Sequence, residues 1–90
     1  MPSIIIPNPL RSYVNGQAEV SVRGETVGEA VESLLAQFPV MRPHLTNSQG
    51  ELRPFVNIFL GRTNIRDLKG LVTPLTIDDK LNLVPSIAGG

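Results

Sequence analysis

Few side chains in this chain could carry out chemistry. His44 is the only histidine, and cysteine is absent. One histidine supplies one ligand where a zinc site takes three or four, so no metal centre is expected, and His44 reads as a packing or surface residue. Without cysteine, disulfides and thiol catalysis are excluded. Ser12, Ser21 and Ser33 have no histidine placed to relay a proton. Asp78-Asp79 is a carboxylate pair in name only. Neighbouring strand residues point to opposite faces, and Asp is a common turn residue, so turn chemistry is expected there. Gly61-Arg62-Thr63-Asn64 lacks the glycines and lysine of a phosphate-binding loop. No catalytic side chain is therefore assigned. What is left is the main-chain carboxylate of Gly90, at the end of Pro85-Ser86-Ile87-Ala88-Gly89-Gly90.

Two glycines before a free carboxylate suit a group that must enter a narrow slot, because they carry no side chain and have wide backbone freedom. At about 3.3–3.6 Å per residue, Ser86 to Gly90 reaches roughly 17 Å. A carboxylate can attack the α-phosphate of ATP inside a partner enzyme, forming an acyl-adenylate. A sulfur nucleophile can then displace AMP and leave a thiocarboxylate. The partner supplies magnesium and the electrostatic stabilisation. This chain needs only a tip that fits and a body that docks.

Composition allows such a body and argues against other roles. Ninety residues make one small domain, expected as residues 1–85 with residues 86–90 as its flexible tail. Hydrophobic residues make up 41% and charged residues 18%, a globular balance. Eight basic and eight acidic residues give zero formal net charge, where a general nucleic-acid binder carries a basic excess. No apolar run approaches the ~20 residues of a membrane span. Met1 to Ile6 reads as no signal peptide, so a cytoplasmic protein is the expectation.

Ile4-Ile5-Ile6 is a β-branched run suited to a strand buried on both faces. Asn15-Gly16 signals a turn. Ala18 to Arg23 alternates, with Ala18, Val20 and Val22 on one face, as the second arm of a hairpin. Thr26 and Glu29 form a capping box. Val27, Ala30, Val31, Leu34, Leu35 and Phe38 recur at helical spacing, and Pro39 stops the helix. Gly28, in its first turn, suggests a close approach to the sheet. A short helical turn over Met41–Leu45 and a loop at Asn47–Gly50 lead to a strand over Phe55–Leu60. Asn64–Leu75 is irregular. Thr76–Asp79 turns into a last strand, with Leu81 and Leu83 inward and Asn82 and Val84 outward. One helix across one sheet makes an α+β domain of two layers.

The ending Val84-Pro85-Ser86-Ile87-Ala88-Gly89-Gly90 resembles that of the ubiquitin-like sulfur carriers of the β-grasp fold. Gly24-Glu25-Thr26-Val27-Gly28-Glu29-Ala30 resembles that family's entry into its helix. The family includes the molybdopterin synthase small subunit and the thiamine sulfur carrier. Ile6 to Arg11, Phe55 to Ile58, Asn64 to Arg66 and Gly70-Leu71 are most like the carrier branch that serves cysteine biosynthesis. The resemblance implies a mixed sheet of four to five strands with one main helix across one face. It implies adenylation and thiocarboxylation at Gly90, with Gly89, Ala88 and Ile87 recognised in the tail. It also implies that the sheet face away from the helix docks the activating enzyme, which the alternation assigns to Phe59, Asn82 and Val84.

No bound cofactor is expected, ATP and Mg being used by the partner. The implied partners are an adenylating, sulfur-transferring enzyme and a sulfur acceptor. The acceptor is a PLP-dependent cysteine synthase or a molybdopterin synthase large subunit. A metalloprotease that trims the tail belongs to the same scheme. Neither nucleic acid nor a membrane is expected as a partner. A protein modifier that joins Gly90 to lysines, or a non-reactive β-grasp binding module, are the alternatives.

Overall fold

The structure, a computed structural model, describes residues 1–85. It has five strands, β1 (Ser3–Ile5), β2 (Glu19–Ser21), β3 (Val56–Leu60), β4 (Thr63–Asn64) and β5 (Lys80–Pro85). Two α-helices, α1 (Val27–Gln37) and α2 (Arg42–Leu45), complete the regular elements, with short 3-10 segments between them. The strands form one sheet in the order β2-β1-β5-β3-β4. β1 and β5 run parallel, and the other pairs are antiparallel.

Helix α1 forms where the apolar stripe predicts it. Thr26 Oγ1 accepts from the Glu29 N–H at 3.2 Å, and the Glu29 carboxylate accepts from the Glu25 N–H at 2.8 Å. Both bonds satisfy donors that the helix start leaves unpaired. Val27, Ala30, Val31, Leu34 and Leu35 are buried, and the helix gives way at Phe38 before Pro39. This stripe packs on Ile4, Val20, Val56, Ile58, Leu81 and Leu83, all buried on one sheet face. The helix also protects the sheet margin. Gln37 Nε2 donates to the Ser21 carbonyl at 2.9 Å, and the Arg23 N–H donates to Ser33 Oγ at 3.0 Å. Edge strand β2 is thereby tied to α1.

Four local readings are corrected. The isoleucine run is covered on one face only: Ile4 is buried in the core while Ile5 is half-buried on the opposite face. Ala18 lies ahead of β2 and is exposed, because the ladder pairs only Glu19, Val20 and Ser21 with β1. β1 and β2 are antiparallel neighbours, yet a 3-10 segment, Asn8–Val14, joins them, burying Leu10 and Val14 before the Asn15-Gly16 turn. Gly28 approaches the Leu71 segment, not the sheet: a Cβ there would lie 3.1 Å from the Leu71 carbonyl oxygen.

Candidate functional site

Two of the candidate side chains, His44 and Asp79, have structural partners. The His44 ring stacks on Tyr13, with centroids 4.4 Å apart. Asp79 Oδ2 accepts from the Thr76 N–H at 2.7 Å and closes the turn before β5, as its position suggests. A surface hollow of about 480 Å³ is lined by Arg42, Pro43, Thr46, Asn47, Ser48, Gly50 and Arg53, a set with no histidine or carboxylate. Among the described residues, no group of three His, Asp or Glu side chains is placed to share a metal ion.

The sheet face away from α1 is the notable surface. Strand alternation sends Ser3, Ile5, Glu19, Asn57, Phe59, Asn64, Lys80, Asn82 and Val84 to it. Their order follows from the register. Ser3 lies opposite Lys80, Ile5 opposite Asn82, Phe59 opposite both Asn82 and Asn64, and Asn57 opposite Val84. Asn82 thus sits directly between Ile5 and Phe59, with Val84 two residues further along β5. The structure brings Phe59, Asn82 and Val84 together as the alternation predicts. Val84 is 44% exposed, while Phe59 and Asn82 are half-buried.

The face is unequal along its length. At the start of β5, the Ser3 hydroxyl donates to Glu19 Oε2 at 2.5 Å, and Lys80 Nζ lies 3.5 Å from the same oxygen. The Ser3 hydrogen bond holds the Glu19 carboxyl below the usual carboxylate range, with the Lys80 charge adding to it. At the end of β5 the surface turns apolar and amide-rich, with Phe59, Val84, Asn57 and Asn64. Ile5 and Asn57 are not among the docking residues expected from the sequence, although their strand parity marks the same face. The readings on Ile87, Ala88, Gly89 and Gly90 lie outside the described residues.

Comparison with known proteins places the chain. The ThiS family model matches residues 4–90. The chain belongs to the ThiS family. It is 33% identical over 90 residues to the sulfur carrier protein CysO of Mycobacterium tuberculosis, covering 98% of this chain and 97% of the relative. Its structure superposes on that of the Amycolatopsis orientalis BexX/CysO complex with a TM-score of 0.88 at 26% identity, each chain being covered completely. It superposes on the small archaeal modifier protein 1 of Methanosarcina acetivorans with a TM-score of 0.84 at 27% identity, covering 99% of this chain and 95% of that one. The resemblance to ubiquitin-like sulfur carriers therefore holds. The ThiS-family fold is β-grasp, a mixed five-stranded sheet with one helix across it.

Proposed function

We propose that this protein is a sulfur carrier charged at the carboxylate of Gly90. The family match, which runs through residue 90, carries the reading. A partner enzyme binds ATP and magnesium. A Gly90 carboxylate oxygen attacks the α-phosphate, a new O–P bond forms and pyrophosphate leaves. Sulfide from the sulfur donor then adds to the acyl carbon, the C–O bond to AMP breaks, AMP leaves, and a thiocarboxylate remains. The carrier supplies no catalytic group. Its tail residues Ile87, Ala88 and Gly89 are read by the partner, and residues 1–85 act as the docking body.

Cysteine biosynthesis is the favoured destination, supported by the similarity to CysO. There the thiocarboxylate sulfur displaces the leaving group of an activated serine derivative held by a PLP-dependent cysteine synthase. A metalloprotease then releases cysteine from the tail. Supply of ATP and the sulfur donor makes the cytoplasm the expected compartment. No helix of the described residues is long and apolar enough to cross a membrane.

Intact-mass analysis tests this. The protein incubated with its host's activating enzyme, ATP and a sulfur donor is expected to gain the mass of one oxygen-to-sulfur exchange, and to become alkylatable at its C-terminus. Absence of that species under full reconstitution rules the reading out. The likeness to a small archaeal modifier favours one second reading, attachment of Gly90 to lysines. Gly90–lysine conjugates in host extracts without any thiocarboxylate would select it.

The outer face is proposed as the docking surface, with Phe59, Asn82 and Val84 near its centre. Phe59→Asp places a charge in that apolar end and is expected to raise the activating enzyme's KM for the carrier at least ~10-fold. Cooperative unfolding should survive, because Phe59 points away from the α1 core. Lys80→Ala at the charged end should leave KM near wild type. Equal KM values for wild type and Phe59→Asp would remove the patch from the docking surface.

A further inference from the structure

We propose that Arg66 is a positioning residue that sets the point from which the tail leaves the sheet. The inference rests on the carrier reading above and concerns how that carrier presents its carboxylate.

Strand β3 is supported unevenly. On one side it pairs with β5 along its whole length, from Val56 opposite Pro85 to Leu60 opposite Leu81. On the other side β4 pairs with Phe59 and Leu60 only. Among the described residues, the first half of β3 therefore has no strand beside it on that side, and this half holds the last residues of β5. Arg66 occupies the gap. Its guanidinium donates to Asn57 Oδ1 at 2.7 Å, to the Val56 carbonyl at 3.0 Å and to the Arg53 carbonyl at 3.5 Å. Val56 and Asn57 are the register partners of Pro85 and Val84.

The brace is itself held in place. Arg66 lies in the 3-10 turn Ile65–Asp67, whose Ile65 is buried in the core. Asn64 Oδ1 accepts from the Arg66 N–H at 3.0 Å, while Asn64 Nδ2 donates to Asn57 Oδ1 at 3.2 Å. A planar fork with several fixed donors can bridge a side-chain amide and two carbonyls together, which an ammonium on a flexible stem cannot do with the same geometry. Arg66 does here what a neighbouring strand does elsewhere in the sheet. Without it, the start of β3 and the end of β5 are held by each other alone. Val84 and Pro85 are then held less firmly, and the carboxylate must find the partner's ATP from a looser base. Misplacement on the scale of 1 Å can lower a rate about 100-fold.

Phe59 and Arg66 therefore predict different kinetic signatures. Arg66→Ala leaves Phe59 and Asn82 in place and loosens only the Val84 end of the patch, so KM for the activating enzyme rises less than in Phe59→Asp while kcat for adenylation falls about 10-fold or more. Arg66→Lys recovers only part of that loss, and Arg62→Ala, the same charge change in the β3–β4 turn, keeps the wild-type kcat. Amide hydrogen exchange gives a readout independent of the partner. Arg66→Ala should speed exchange at Val56–Asn57 and Leu83–Val84 at least ~10-fold through local opening, with Ile4 and Leu81 protected as in wild type. Exchange unchanged at those four positions, acceleration spread evenly over the sheet, or an unchanged kcat overturns the proposal. If the wild-type protein takes no AMP, the carrier reading fails, and the exchange pattern alone decides whether Arg66 braces β3.

Discussion

Deletion of Gly89-Gly90 is expected to reduce ATP-dependent adenylation to background while leaving the unfolding midpoint where it is. Every buried core residue among the described ones lies between Ile4 and Leu83. The capping bonds, the β-ladder and the Arg66 brace lie between Ser3 and Pro85. Truncation therefore leaves all of these interactions in place. A shortened chain would still end in a carboxylate, but one that stops short of the ATP α-phosphate and carries a side-chain-bearing residue into the slot. Pyrophosphate release by the activating enzyme is the measurement. Release at the wild-type rate from the truncated chain would show that Gly90 is not the reacting group. A non-reactive binding module is the reading that such a result would favour.

The second large effect is on stability. Gly24→Ala is expected to destabilise the domain by about 2–4 kcal/mol, through overpacking and loss of the helix cap. Gly24 has φ +156°, and a Cβ there would meet the Ala30 backbone nitrogen at 2.7 Å, Glu29 Cβ at 2.8 Å and the Glu29 carbonyl carbon at 2.9 Å. These atoms are backbone, or the root of a side chain, in the first turn of α1. They yield only if the helix start lifts off. That movement pulls Glu29 from the Glu25 N–H, which it caps at 2.8 Å. Thermal denaturation should report the loss, as a Tm decrease of at least ~8 °C for a domain of this size. Gly16→Ala is the comparison, since its Cβ meets nothing within 4 Å and only the φ of +78° resists it. It should cost about 1–2 kcal/mol. A Gly24→Ala protein as stable as Gly16→Ala would contradict the close-approach argument.

The parts of the fold that the sequence made legible are those governed by one-dimensional periodicity. The α1 stripe from Val27 to Leu35, the Thr26–Glu29 cap and the inward parity of Leu81 and Leu83 depend on spacing alone, and each is found as read. What was not legible depends on which segments meet. Ile4-Ile5-Ile6 looks buried on both faces because hydrophobicity does not reveal that one side of the sheet lacks a helix. Gly28 signals a close approach, but nothing in its neighbours names Leu71 as the partner. The Asn8–Val14 segment, with two prolines framing Asn8, has a 3-10 geometry that Pro7 and Pro9 allow but do not require. Arg66 shows the same limit at the candidate site. As a sequence position it is one exposed arginine among several. Its role emerges only when β4 proves too short to cover the start of β3.

The order β2-β1-β5-β3-β4 has a consequence for biosynthesis. β5 is the middle strand and also the last to leave the ribosome. Before it exists, the nascent chain can pair β1 with β2 and β3 with β4, but no strand pairing within the sheet joins these two ribbons. An isolated two-stranded ribbon is marginal in water, and the apolar stripe of α1 has no complete sheet to cover. The domain therefore closes in one late step. A stalled or clipped product that ends before Lys80 presents neither Asn82 nor Val84 and lacks the central staple of the sheet. On the docking surface proposed above, an enzyme that selects the finished outer face would ignore such fragments.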